Sequence, residues 1–139
     1  MVGLLLVTHG DLAKALLSSA TLIMGETPPV ESYGLYHGDD VDTLKENVKE
    51  AIIRLDSQSG GDGVLVMTDL FGGSPSNVTA RSFFELGTGT KAECITGVNL
   101  PMLLEAATGT AYMSLEEIKD ACLTSGTESI LSLREKIQI

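Results

Sequence analysis

Two residues able to do chemistry stand where apolar runs stop abruptly. Leu4-Leu5-Leu6-Val7 gives way to Thr8-His9-Gly10, and Val64-Leu65-Val66-Met67-Thr68 gives way to Asp69, followed by Leu70-Phe71-Gly72-Gly73-Ser74-Pro75. In open α/β sheets, ligands bind at such strand ends. A neutral imidazole there is a competent nucleophile, and Gly10 lets the backbone turn tightly and leaves the ring open to an incoming group. A lone histidine in that place is more often a half-buried ring bonded to a backbone carbonyl. Asp69 shifts the balance, because the first and third strands of a doubly wound sheet are neighbours where the strand order reverses. A carboxylate accepting the N–H of one imidazole nitrogen fixes the tautomer, frees the lone pair of the other nitrogen, and stabilises the cationic ring that attack produces. As an alternative, Asp69 is a turn or helix-entry carboxylate.

The loop beyond Asp69 suggests what would be attacked. Gly72 and Gly73 can present backbone N–H groups, Ser74 a hydroxyl, and the following helix its positive end, which together make a phosphate cradle. Simple helix-entry chemistry explains the same residues. No Lys or Arg lies in either segment. A phosphoryl group held by neutral donors suits a carrier that must pass it on.

Other matches fail on context. Gly87-Thr88-Gly89-Thr90 resembles a dinucleotide fingerprint but precedes a strand instead of joining strand to helix. His37-Gly38-Asp39-Asp40 reads as a loop capping a helix, with no recurring metal-ligand spacing. Asn77-Val78-Thr79 lies inside a helix, where a glycosylation acceptor has no meaning. No Walker A sequence is present, so nucleotide-driven phosphorylation has no machinery here. Neither a metal nor a cofactor is expected.

Elements that could hold these residues alternate along the chain, strand-length apolar runs with helical-period segments, the pattern of βαβ units and a mainly parallel sheet. Strands are predicted over Val2 to Val7, Val30 to Tyr36, the run ending at Thr68, and Ala92 to Val98. The first helix is expected over Asp11 to Met24 with Leu12, Leu16, Ala20 and Ile23 on its buried stripe and Gly25 as its stop. The second is expected to start near Asp42 or Thr43, with Thr43 and Glu46 as a capping box and Leu44, Val48, Ile52 and Leu55 buried. Ser74 is the expected N-cap of the third, with Pro75 at its first position, and the helix runs to about Leu86. Pro101 opens a short helix to about Ala107, and Ser114 with Glu117 caps another up to Thr124. Ile130 to Leu133 is too short to settle as strand or helix.

The chain has 139 residues, 43% of them hydrophobic and 4% aromatic, which suits one domain with an aliphatic α/β core. Nine basic against nineteen acidic residues leave a net charge of −10, which argues against nucleic acid or an anionic membrane as partner. Cys94 and Cys122 read as small buried hydrophobes of a reducing compartment. The apolar start, with no basic leader and with His9 and Asp11 close behind, is neither signal peptide nor membrane span. A cytoplasmic protein is expected.

Thr8-His9-Gly10 after an apolar strand, Thr68-Asp69-Leu70-Phe71-Gly72-Gly73-Ser74-Pro75, and Gly97-Val98-Asn99-Leu100-Pro101-Met102 together closely resemble the enzyme IIA domain of the mannose-type (mannose, fructose, sorbose) bacterial phosphoenolpyruvate:sugar phosphotransferase system. The resemblance covers essentially the whole chain, so residues 1–139 read as one such domain. It implies that His9 accepts a phosphoryl group from the histidine-containing phosphocarrier protein and donates it to enzyme IIB, which phosphorylates sugar entering through the membrane subunits IIC and IID. It further implies that Asp69 orients the ring, and that Thr8, Gly10, Phe71, Gly72, Gly73 and Ser74 form the phosphate-binding pocket. The implied fold is a doubly wound, mainly parallel sheet of order 2-1-3-4, with a C-terminal antiparallel strand exchanged in a homodimer. Some members carry Trp where this chain has Phe71. The phosphotransfer subunit of dihydroxyacetone kinase, or a regulatory phosphohistidine module, is the alternative, but Thr8-His9-Gly10 and the full Gly-Gly-Ser-Pro favour the sugar system. A receiver domain would need an acidic pair after its first strand, and a histidine phosphatase an Arg where Thr8 stands.

Overall fold

Bulky aliphatic side chains on both faces of the central strands require helices on both sides, and the chain supplies them. A computed structural model, which describes residues 1–139, places β1 (Gly3–His9), β2 (Val30–Leu35), β3 (Val64–Thr68) and β4 (Ala92–Ile95) in one sheet. All pairs are parallel, in the order β2-β1-β3-β4. Alternation along each strand divides the core. Leu4, Leu6, Leu65 and Met67 pack against α1 (Leu12–Met24), α4 (Leu100–Gly109) and α5 (Leu115–Glu128). Leu5, Val7, Val64 and Val66 face α2 (Val41–Gln58) and α3 (Ser74–Phe84). With both faces covered, Leu4 to Thr8 of β1 and all of β3 are buried, as parallel sheets require, and His9 emerges at the strand end. β1 lies between β2 and β3, so the strand order reverses beside it, and His9 and the residue after Thr68 emerge together at that crevice.

Local signals placed the elements well and their ends less well. The second helix buries the predicted Leu44, Val48, Ile52 and Leu55, but its N-cap is Asp40, whose carboxylate accepts from Asp42 N–H and the Thr43 hydroxyl. Glu46 pairs with Lys45 and Lys49 instead of closing a box with Thr43. α1 turns Ala13 and Ala20 inward, with Leu16 and Leu17 partly packed, and leaves the predicted Leu12 and Ile23 at 41% and 59% exposure. That helix is apolar around most of its circumference, so periodicity leaves its buried face undecided and the close approach of small residues to the sheet selects it. In α3 the N-cap is Gly73 in extended conformation, and Ser74 is already the first helical residue. β4 ends at Ile95, not Val98, because Gly97 turns at φ 77° and Val98 N–H donates to Thr68 O at the end of β3. Asn99 then caps α4 and donates to Gly126 O of α5, while Ser114 and Glu117 close the predicted capping box.

The C-terminal segment departs from the expected strand. Residues Leu133–Ile137 form a short helix, α6, with no buried residue. An exchanged strand takes its hydrogen bonds from a second chain, and within one chain this segment closes its own. No helix is long and apolar enough to cross a membrane.

Candidate functional site

At the crevice between β1 and β3 the two strand-end residues meet. Asp69 Oδ2 accepts the backbone N–H of His9 at 3.0 Å and lies 2.9 Å from His9 Nδ1. A carboxylate oxygen can only accept, so Nδ1 carries the proton and the Nε2 lone pair is left free. The ring is 46% exposed and the Asp69 side chain only 13%. Burial acts to raise the Asp69 pKa. The hydrogen bond from His9 N–H, the bond from the ring and attraction to the imidazole outweigh it and hold the carboxyl below its ordinary value. The second oxygen, Oδ1, is buried and has no hydrogen-bond partner.

The β3–α3 loop stands over the other side of the ring. Gly73 N–H donates to Leu70 O, closing a turn over Leu70 to Gly73 in which Gly72 takes φ 84°, the conformation glycine favours at the third position of a type II turn. A Cβ on Gly73 would lie 2.7 Å from His9 Cε1 and 3.3 Å from Nε2, so only a glycine backbone can stand this close to the reactive edge. The carbonyls of Leu70, Gly72 and Gly73 are all taken, by Gly73 N–H, Asn77 Nδ2 and Asn77 N–H. By contrast, the N–H groups of Phe71, Gly72 and Ser74 make no hydrogen bond within the chain. Engaged loop carbonyls, unpaired N–H groups and the N-terminus of α3 next to the ring are the kind of donors that bind an anion without a cationic side chain.

Of the predicted site residues, Asp69 is bonded to His9 and Gly73 stands against the ring, with Gly72 and Ser74 beside it in the chain. Phe71 belongs to the same loop and is 85% exposed. Thr8 and Gly10 shape the strand end. The Thr8 hydroxyl is fully buried and accepts Ala13 N–H of α1 at 2.9 Å, and Gly10, at φ 54°, donates its N–H to Leu35 O of β2. The Gly10 N–H is thus engaged by β2, and the Thr8 hydroxyl serves as acceptor for the first turn of α1. Both cysteine thiols are raised by burial, Cys94 to about 11 and Cys122 to about 12, which leaves them unreactive thiols. No cluster of three or more His, Cys, Asp or Glu is placed to hold a metal ion.

Three contributors escape the sequence reading. Tyr36 donates to Asp11 Oδ1 at 2.6 Å and braces the turn after His9. Asn77 holds the Gly72 and Gly73 carbonyls. Ser76 donates to Leu70 O at 2.7 Å. Tyr36 reaches a residue far from it in sequence, and the Asn77 and Ser76 contacts depend on how the loop folds back on the start of α3, which no periodic spacing announces.

An open parallel α/β sheet of order β2-β1-β3-β4 with an exposed, carboxylate-bonded histidine at the switch point is a protein of the doubly wound class. Comparison with known proteins narrows this. The EIIA-man family model, described as PTS system fructose IIA component, matches residues 3–123. The sorbose-specific EIIA component of Lacticaseibacillus casei is 31% identical over 134 residues, covering 96% of this chain and 92% of that protein. The mannose-specific EIIAB component of Escherichia coli (strain K12) is 30% identical over 136 residues, and the chain spans 40% of that longer protein. Among solved structures, the phosphotransferase system component EIIA from Streptococcus agalactiae superposes with a TM-score of 0.86 at 28% identity, covering 97% of this chain and 99% of the other. The chain belongs to the mannose-type EIIA family of the phosphotransferase system. That membership favours the sugar system over the dihydroxyacetone kinase alternative.

Proposed function

We propose that this chain is a phosphohistidine carrier of a sugar phosphotransferase system, loaded at His9 Nε2 by the histidine-containing phosphocarrier protein and unloaded by enzyme IIB. The observation that carries the reading is the Asp69–His9 pair, which occupies Nδ1 and leaves Nε2 free beside Gly73 and the unpaired N–H groups of the β3–α3 loop. The Nε2 lone pair attacks phosphorus, the P–N bond of the donor breaks, and its electron pair returns to the donor imidazole. Positive charge develops on the His9 ring, whose Nδ1–H stays on Asp69, and the carboxylate offsets that charge. Phe71, Gly72 and Ser74 N–H groups and the α3 N-terminus receive the phosphoryl oxygens. With no Lys or Arg in the cradle segments, the group is held loosely enough to leave for the next carrier. The role is cytoplasmic, at the inner face of the IIC and IID membrane subunits, and IIA pairs as a homodimer through its C-terminal segment.

The test is incubation with phosphoenolpyruvate, enzyme I and the phosphocarrier protein, without nucleotide. One phosphoryl group per chain should map to His9, be lost in acid and survive alkali, as a phosphoramidate does. Label that persists in His9→Ala, or that survives acid, would show that His9 is not the carrier and overturn the reading.

A further inference from the structure

We propose that Ser76 is a positioning residue of the His9 site: its hydroxyl, at the third residue of α3, holds the first carbonyl of the β3–α3 turn and so sets how closely Gly73 and the unpaired N–H groups stand against the imidazole. The inference rests on the phosphohistidine reading for its kinetic effect, but its geometric effect does not depend on it.

Three contacts meet at this one hydroxyl. Ser76 Oγ is 2.7 Å from Leu70 O, 2.7 Å from Thr68 Oγ1 and 3.4 Å from Thr96 Oγ1. A carbonyl can only accept, so the single Ser76 proton goes to Leu70 O and the two threonine hydroxyls donate to Ser76. A serine in the first turn of a helix commonly bonds a backbone group of its own helix. This one instead reaches back across the loop and sideways to the ends of β3 and β4. Thr68 is the residue before Asp69 and is fully buried, so the network is anchored on the strand that carries the orienting carboxylate. Leu70 O also accepts Gly73 N–H, and Gly73 is the residue in contact with the His9 ring. The chain of contact therefore runs from the β3 end through Ser76 and the Leu70 carbonyl to Gly73 and Nε2. Without the hydroxyl, Leu70 O keeps only the turn hydrogen bond and Thr68 Oγ1 loses its acceptor, so the turn is free to lift away from the ring. Asp69 Oδ2 remains on His9 N–H, because that bond lies on the strand side.

Ser76→Ala and Ser76→Thr separate this role from a merely structural one. In the folded full chain, the His9 Cε1–H resonance should move in Ser76→Ala and stay near the wild-type position in Ser76→Thr, which keeps a hydroxyl. With phosphorylated carrier protein as donor, the saturating rate of uptake should fall roughly ten- to a hundredfold in Ser76→Ala, the scale of a small misplacement of reacting groups, with the half-saturating donor concentration unchanged. Ser76→Thr should recover most of that rate. Should Ser76→Ala fail to fold, Ser76→Cys, similar in size but a feeble donor, is read in the same two ways. A folded variant without the hydroxyl that keeps the wild-type resonance and rate overturns the proposal, as does an equal loss in the alanine and threonine variants. A wild-type chain that takes no phosphate on His9 overturns the carrier reading, while the resonance still decides whether Ser76 sets the ring's surroundings.

Discussion

Replacing Asp69 by asparagine removes one charge from the site while keeping the side chain's shape. The carboxylate accepts two hydrogen bonds at a single oxygen, from His9 N–H and from Nδ1–H, and an amide oxygen can take both. The charge cannot be replaced. A unit pair at ~4 Å in an effective dielectric of about 20 is worth about 4 kcal/mol. The His9 side chain is 46% exposed, so solvent screening reduces this to about 2–3 kcal/mol. Because the ring becomes cationic during transfer, that loss falls on the transition state and corresponds to roughly thirty- to a hundred-and-sixtyfold in rate. The amide NH2 must also occupy the position of the buried, unpartnered Oδ1, or flip toward the ring and select the wrong tautomer. The combined loss should be roughly two to four decades, the range typical of orienting groups. The assay is single-turnover uptake from phosphorylated carrier protein, with thermal melting to show a folded variant. Stability adds an independent reading. The Asp69 carboxyl is held below its usual range, so its contribution is present above the unfolded value near ~4 and is lost as pH falls through the lower folded value. Wild type should melt above Asp69→Asn at about pH 5, and the margin should shrink as pH falls through about 4 and below. A folded variant that transfers at the wild-type rate would make Asp69 a helix-entry residue.

Gly73→Ala puts a methyl 2.7 Å from His9 Cε1 and 3.3 Å from Leu70 O, so ring or turn must shift. The variant should fold and take up phosphate more than tenfold more slowly; stopped-flow uptake at the wild-type rate would show that the loop does not contact the reactive ring in solution. The C-terminal residues Ile130, Leu131, Leu133, Ile137 and Ile139 are exposed, and β4 has no neighbour on its outer edge. Strand exchange would cover both, and truncation after Ser129, which spares α5 and the Asn99 bond to Gly126 O, should then convert a dimer to monomer by light scattering. An unchanged dimer, or a monomer from the start, refutes it.

Strands and helices were legible because their causes are local. Aliphatic runs of strand length, Gly25 after α1, Pro75 early in α3 and the Ser114–Glu117 box are written within a few residues of what they control. His9 and Asp69 were legible for the same reason, each ending an apolar run. Tertiary structure decided everything that depends on which local solution wins a competition in space. Asp40 took the α2 cap from Thr43, and small alanines drew α1 onto the sheet in a rotation its broad apolar surface left open. The Thr8 hydroxyl accepts Ala13 N–H and Gly10 N–H donates to Leu35 O, pairings set by the neighbouring α1 and β2 and not by the local sequence. The sequence alone thus determined that this chain is a parallel α/β domain with a histidine and an aspartate at strand ends. Their meeting at 2.9 Å and the glycine against the ring arise only when β1 and β3 lie side by side, and the serine bond to Leu70 O only when the loop folds back onto α3, since such contacts leave no periodic mark on the chain.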